Sequence, residues 1–219
     1  MTDELKSSRT ALNRLPARGH YDFETIAAIL DEAFVCHLGF VTNGQPYVIP
    51  TIYGREGELL YLHGAAAGRL IRSTAEAAAI CVTVTLVDGL VLARSGFHSS
   101  INYRSVVMLG SAEPVEADQK ERAMKIISDH ALSGRWEALR PANDMELEQT
   151  SVLQMDIIEA SAKIRSGPPQ DDEEDYALPI WAGTLDFQTP STVARADDRL
   201  HPDAVLPEYV KKYRRPQGG

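Results

Sequence analysis

The side chains best suited to chemistry in this 219-residue chain fall into two short stretches. The first, Leu60-Tyr61-Leu62-His63-Gly64-Ala65-Ala66-Ala67-Gly68-Arg69-Leu70, reads as a strand end joined to a helix start through small residues. Backbone amides at such a helix start approach an anion closely, and Arg69 adds a fixed positive charge. The stretch therefore suits a phosphate seat, and it equally suits an ordinary strand-to-helix turn with a surface arginine. It lacks the GK[ST] ending of a Walker loop and the GxGxxG of a dinucleotide fold. His63 beside it is either a satisfied imidazole or one that hydrogen-bonds a ribityl chain or phosphate, or ligates a metal.

The second stretch is Phe97-His98-Ser99-Ser100-Ile101-Asn102-Tyr103-Arg104-Ser105-Val106-Val107. Strand alternation puts the Tyr103 and Ser105 hydroxyls on one face and Arg104 on the other. That suits a barrel face presenting donors to a ligand, and equally a half-exposed strand. Adjacent strand residues point apart and no GxSxG elbow occurs, so His98 with Ser99 or Ser100 does not make a hydrolase pair. His20, His37, His130 and His201 are isolated, and no HExxH or Cys/His pairing marks a metal site. Cys36 and Cys81 each lie in an apolar run and read as buried, reduced thiols. No carboxylate pair stands out for acid-base chemistry, and no catalytic residue is singled out.

These residues need a framework. Asp22 is placed to cap a helix with Tyr21 and Ile26 at the staple positions, and Phe23, Ile26, Ala27 and Leu30 form its apolar stripe. Strands are expected at 34–41, 47–53 and 59–63, with Asn43-Gly44 and Arg55-Glu56-Gly57 as turns. An alanine-rich helix is expected over 65–79. Further strands follow at 80–87, 90–94, 103–109, 110–115 and 151–160, with Asp88-Gly89 as a hairpin. Asp118 and Glu121 have capping-box spacing before a helix that ends near 132–134. Strands do not alternate one for one with helices, which disfavours a doubly wound parallel sheet. The expected fold is mainly β, a six- to seven-stranded antiparallel barrel with peripheral helices.

Composition bounds the function. With 44% hydrophobic and 24% charged residues the chain is ordinary for a globular protein, and no run approaches the ~18 apolar residues of a membrane helix. The polar start MTDELKSSRT is unlike a signal peptide, so the expectation is a cytoplasmic protein without a membrane partner. The net charge of -9 divides into -2 over 1–33, +1 over 34–112 and -8 over 113–219. That balance argues against nucleic acid, which requires clustered basic residues. Gly167-Pro168-Pro169 and the run Asp171, Asp172, Glu173, Glu174, Asp175 read as a solvated tether. Three regions follow: an N-terminal arm 1–19, a domain 20–165, and an acidic linker with a C-terminal extension 166–219 that includes Trp181.

The chain resembles the pyridoxamine 5′-phosphate oxidase-like, FMN-binding split-barrel superfamily, in the branch of flavin-nucleotide-binding proteins and nitroimidazole-resistance reductases. The resemblance rests on Gly44 to Thr51, Leu60 to Gly64 with Gly68-Arg69, His98 to Val106 closing on Gly110, and Trp181-Ala182-Gly183. It implies a homodimer of split barrels with FMN at the subunit interface, haem or FAD being the alternatives. By analogy Val48, Ile49, Pro50 and Thr51 run along the isoalloxazine, Leu62, His63 and Gly64 meet the ribityl-phosphate, and Gly68 and Arg69 meet the phosphate. Tyr103, Arg104 and Ser105 fall at the flavin, and Trp181 supplies a late aromatic near the ring, from the same or the second subunit. Gly68 stands where the oxidase has one of an Arg-Lys pair, and the oxidase's substrate-binding arginine and histidine have no counterpart in Thr184-Leu185-Asp186-Phe187. Pyridoxamine phosphate is therefore a doubtful substrate. The implied function is an FMN-dependent oxidoreductase acting on a small molecule. The alternatives are a flavin or haem carrier without turnover, and a scaffold with an empty cleft.

Overall fold

Period-two hydrophobicity dominates the computed structural model, which describes residues 4–76, 79–187 and 192–214, the side chains at 69, 72, 75 and 76 excepted. Ten strands, β1 (Gly19–His20), β2 (Val35–Thr42), β3 (Gln45–Glu56), β4 (Leu59–Ala65), β5 (Ile80–Leu92), β6 (Ser100–Gly110), β7 (Glu113–Pro114), β8 (Thr150–Asp156), β9 (Ala160–Arg165) and β10 (Gly183–Asp186), form one antiparallel sheet. Its order is β1-β9-β6-β5-β2-β3-β4-β8-β7, with β10 added alongside β5. The helices are α1 (Phe23–Glu32), α2 (Arg69–Glu76), α3 (Lys120–Ala131), α4 (Asp144–Gln149) and α5 (Glu208–Lys211).

The strand count exceeds the expected six or seven for identifiable reasons. The apolar run expected as one strand over 151–160 is two, β8 and β9, and β1, β7 and β10 are short pairings that leave little periodic signal. Asp88-Gly89 is no hairpin: β5 runs through it with a register shift between Val87 and Gly89. Asp88 instead accepts a 2.7 Å hydrogen bond from Arg104 Nη2. The helix expected over 65–79 begins only at Arg69, because β4 stays paired to β8 as far as Ala65. Asp118 caps nothing; a 3-10 turn over Ala117–Gln119 leads into α3, and the capping box is at Asn143 and Glu146.

Other local signals act as their chemistry dictates. Asp22 Oδ1 accepts from the Thr25 N–H at 2.9 Å and starts α1. Asn43 and Gly44 both take positive φ, 51° and 74°, which a two-residue hairpin between β2 and β3 requires.

The sheet has two unlike faces. The row Ala160, Met108, Val82, Leu38 and Ile49, in register across β9, β6, β5, β2 and β3, faces the core where Ile26, Ile29 and Leu30 of α1 pack. Each such buried aliphatic contributes about 1.5–3 kcal/mol by leaving water. The neighbouring row Ser161, Val107, Thr83, His37 and Pro50 lies on the outer face, and no helix covers its β2 and β3 end.

β3 joins the two halves of the sheet. Residues 45–52 pair with β2, then Tyr53 to Glu56 pair with β4. The change of partner is pinned by buried groups. Tyr53, fully buried, donates its hydroxyl to Leu30 O at 2.5 Å, and α3 lies on Gly54 so closely that a Cβ there would stand 2.7 Å from Ile127 Cα.

The acidic run expected as a solvated tether is anchored instead. The Asp171 carboxylate, wholly buried, accepts from the Arg94 backbone N–H at 2.9 Å and pairs with its guanidinium at 3.0 Å. Asp172 meets His98 at 3.2 Å, and Arg94 stacks on Tyr176 with 4.7 Å to the ring centroid. Composition hid this, because a buried carboxylate and a solvated one read alike in sequence.

The Gly54 contact gives a direct test. Gly54→Ala forces α3 off the sheet and should lower the unfolding free energy by about 1–3 kcal/mol, read as a lower urea midpoint with little change in slope.

Candidate functional site

The hydrogen-bonding pattern of β3 defines the site. Successive residues of a strand address opposite edges, and Tyr53 N–H donates to Phe34 O on the β2 side. Odd-numbered positions of β3 therefore face β2, and even-numbered positions 46, 48, 50 and 52 face the other edge. Along 45–52 that edge has no strand partner among the described residues, since β4 begins its pairing only at Tyr53. Pro46 and Pro50 have no N–H to offer, and Gln45 Nε2 donates to the Pro46 carbonyl at 3.1 Å. What remains is the Val48 N–H and C=O, the Pro50 C=O and the Ile52 N–H: a short run of donors and acceptors without ladder partners.

The side chains around this edge are uncovered and apolar. Val48 is 68% exposed, and Val35, Val41 and Ile52 are exposed with it. Pro50 stands in register with His37, and Val48 with Gly39, which in turn pairs with Cys81. The result is a flat apolar strip bordered by backbone hydrogen-bonding groups.

The expected site residues divide by face. Val48 and Pro50 lie on the strip, while Ile49 packs on the core and Thr51 is half-buried beside it. Leu62 is buried in the core between β3 and β8, so its side chain faces away from any ligand. His63 is half-buried, and its Nδ1 is buried without a hydrogen-bond partner. Desolvation lowers its pKa, which keeps the imidazole neutral at pH 7. Gly64 packs under Ile71 of α2. Gly68 closes the turn into α2 by donating its N–H to Ala65 O at 2.7 Å, and α2 starts at Arg69, whose side chain lies outside the described residues.

Tyr103 and Ser105 sit on the outer face of β6, in register with Arg165 and Lys163 of β9. Arg104 points the other way and is occupied. It binds Glu32 of α1 and Asp88 of β5, and those carboxylates raise its pKa, so it ties helix to sheet and is not free for a ligand. Trp181 is 66% exposed just before β10, which pairs with the Gly89–Leu92 end of β5. Leu185 of β10, Leu90 and Ile101 form a further exposed apolar row on the outer side.

Cys36 is inert: burial pushes its thiol up to about 12. Cys81 is a half-buried free thiol on the outer face rather than a core one. Among the described residues no group of three or more His, Cys, Asp or Glu could hold a metal ion, and no helix is long and apolar enough to cross a membrane. Reading the last strand as ending at Ala160 missed β9, and with it Lys163 and Arg165; their i, i+2 spacing was the signal available.

A flavin fits these features. The strip accepts a planar ring, the open β3 edge offers backbone groups to a polar ring edge, and the orphaned His63 nitrogen lies one strand away, on the element that leads to the Gly68 turn.

Comparison with known proteins gives the family and the fold. The model of the pyridoxamine 5′-phosphate oxidase family matches residues 22–164. The structure of the flavocytochrome Anf3 from Azotobacter vinelandii is similar with 43% identity and a TM-score of 0.90, over 95% of this chain and 97% of that one. The FAD and heme binding protein from Mycobacterium smegmatis is 31% identical with a TM-score of 0.85, over 89% and 96%. A 5-nitroimidazole antibiotic resistance protein from Bacteroides thetaiotaomicron shares the fold, with 24% identity and a TM-score of 0.57 over 67% and 86%. No curated protein sequence matches the chain.

The two buried imidazoles set a pH dependence. Burial lowers the pKa of His63, and also that of His130, whose Nε2 is 2.8 Å from Ala33 O. The unfolded chain takes up protons at the ordinary value near 6.5 while the folded protein resists until lower pH. Stability is therefore complete above about pH 6.5 and falls as pH drops from there toward the depressed folded values. Urea midpoints should decrease between about pH 7.5 and pH 5.5, and His63→Gln should reduce the difference.

Proposed function

The chain belongs to the pyridoxamine 5′-phosphate oxidase family, and from that membership we propose that it is a flavin-binding oxidoreductase whose flavin lies along the open edge of β3. The observation that carries this reading is that edge: a stretch of main chain without ladder partners, bordered by exposed Val48, Pro50 and Ile52. The riboflavin-phosphate portion common to FMN and FAD is the unit that the site would hold, FMN being the smallest sufficient cofactor. Bound flavin would supply reversible hydride and single-electron chemistry. The protein's part is to bind, orient and exclude water. Val48 offers an amide and Pro50 a carbonyl to the polar ring edge; His63, neutral, offers a hydrogen bond to the ribityl chain; the Gly68 turn and Arg69 seat the phosphate.

A second copy of the chain would complete the site. The outer face exposes Val35, Val41, Val48, Ile52 and Val87, and a grouping of exposed aliphatic side chains on one face is the kind of surface that marks an interaction site. In a homodimer this face would be buried with the cofactor, and exposed Trp181 would be within the reach of such an interface. Sedimentation velocity should give twice the 24.1 kDa chain mass.

A second reading is a flavin- and haem-binding protein whose role is to carry rather than turn over. It is favoured by the unpartnered His63 nitrogen and by the names of the two relatives that span nearly the whole chain. Pyridine haemochrome and absorption spectra of the purified protein separate flavin from haem. Reduction by NAD(P)H followed by turnover of a nitro compound or a quinone favours the oxidoreductase.

Two substitutions test the flavin site. Val48→Pro removes the one N–H standing between two prolines at the open edge. It should weaken FMN and FAD binding by about tenfold while the urea midpoint barely moves, because no protein group loses a partner. Arg69→Ala should cost about 10- to 100-fold, as a charged hydrogen bond of ~1.5–3 kcal/mol is lost. No flavin bands and no binding at micromolar FMN or FAD in wild type would sink the reading.

A further inference from the structure

Arg165 ends β9 as a buried residue with 8% exposure. Buried guanidinium groups are ordinarily matched by a carboxylate, since an uncompensated charge is costly to desolvate. Here the match is neutral. Arg165 Nη1 donates to Asn102 Oδ1 and, at 3.5 Å, to the Gly167 carbonyl, which also accepts from Asn102 Nδ2 at 3.2 Å. Among the described residues its Nε and Nη2 have no hydrogen-bond partner, and they are not among the buried unsatisfied atoms, so they are open to solvent. Those two nitrogens form the side-on fork of a guanidinium, the geometry that binds a carboxylate or phosphate in bidentate fashion.

Two further cations stand close by. Lys163, two residues back on the same strand, is in register with Ser105 on one side and Gly19 on the other. Arg18 precedes Gly19 and is near enough that its charge, with burial, lowers the pKa of Arg165. None of the three has an ion-pair partner among the described residues, although the chain carries 31 acidic side chains and pairs most of its other structured arginines. Tyr103, in register with Arg165, places a phenol beside the group. Asn102 fixes the guanidinium so that its open fork is held rather than free to swing.

We infer that Arg165, Lys163 and Arg18 form an oxyanion-binding subsite at the β6/β9 end of the outer sheet face, taking the phosphate or carboxylate of a ligand that lies over that face. In the order of the sheet β9 is five strands from β4, the strand that leads to Gly68 and Arg69, so within one subunit this subsite is built on other elements than that phosphate seat. The inference does not rest on flavin binding.

Isothermal titration of the full-length protein with inorganic phosphate, and separately with acetate, tests it. Wild type should bind phosphate in the millimolar range. Arg165→Lys, which keeps the charge and removes the fork, should raise the dissociation constant about tenfold, and Lys163→Gln about threefold. Because Arg69 is itself proposed to seat a phosphate, the β9 variants are compared in the Arg69→Ala background, where phosphate binding should persist; that persistence distinguishes this subsite from the seat near α2. Acetate binding with the same variant pattern extends the ligand class to carboxylates; phosphate binding alone restricts it to phosphates. Circular dichroism reports folding, and Lys163, half-buried, supplies a second readout through Lys163→Gln should Arg165→Lys unfold. No phosphate binding once Arg69 is replaced by alanine, or binding unaltered in both β9 variants, would overturn the subsite.

Discussion

The constraint on which the rest depends is the change of partner in β3 between Ile52 and Tyr53. The seven residues of β4 pair with only the last four of β3, Tyr53 to Glu56, and beyond Leu62 they stay on β8 alone. The point of divergence is where the helices hold β3: Tyr53 donates its hydroxyl to the last turn of α1 and α3 lies on Gly54 at near-contact distance. β4 joins only from Tyr53 and is carried on to β8. The sheet consequently opens beside 45–52, and an edge is left in the middle of a molecule whose other strands are paired. Packing of two helices thus decides where main-chain hydrogen-bonding capacity is left over, and the candidate site is made of that remainder.

Charge is distributed in keeping with this. Arg104, between Glu32 and Asp88, clamps α1 to the core side of β5 and β6. Arg94 with Asp171 draws the C-terminal segment back to the end of β5, so that β10 can pair there and Trp181 is brought beside the sheet. Much of the chain's acidity is therefore spent on structural ion pairs or on exposed helix surface. Arg18, Lys163 and Arg165, which have no ion-pair partner among the described residues, are near the outer face. A net charge of -9 is compatible with anionic ligands because the outer face and the acidic surface are different parts of the molecule.

The sequence made legible what is encoded within one turn or one hairpin. Asp22 with Thr25 and Asn43 with Gly44 each determine a local conformation from adjacent residues, and the structure has both. The small-residue passage from His63 to Arg69 was likewise legible as a strand end, a turn and a helix start. Features that depend on a distant partner were not. Asp88-Gly89 has hairpin chemistry but serves a continuous strand, because Arg104 across the sheet claims the aspartate. Asp171 belongs to a run that looks solvated, but a guanidinium 77 positions earlier buries it. β9 alternates weakly, since Ala160, Ser161 and Ala162 are all buried, and the boundary with β8 disappears in one apolar stretch.

The open edge also has to be kept from pairing with a stray strand, since a row of free amides and carbonyls is a template for aggregation. Pro46 and Pro50 address this at the positions where it matters. Each falls on an even position, facing the unpaired side, and each withholds the N–H that an incoming strand would need. An incoming strand would find N–H groups only at Val48 and again at Ile52, about 13 Å apart at ~3.3 Å per residue, too far apart to continue a ladder. An edge built this way disfavours an incoming strand while the Val48 N–H and C=O and the Pro50 C=O stay open to something smaller. Under the proposed flavin reading, the same two prolines protect the fold and leave those groups to the cofactor.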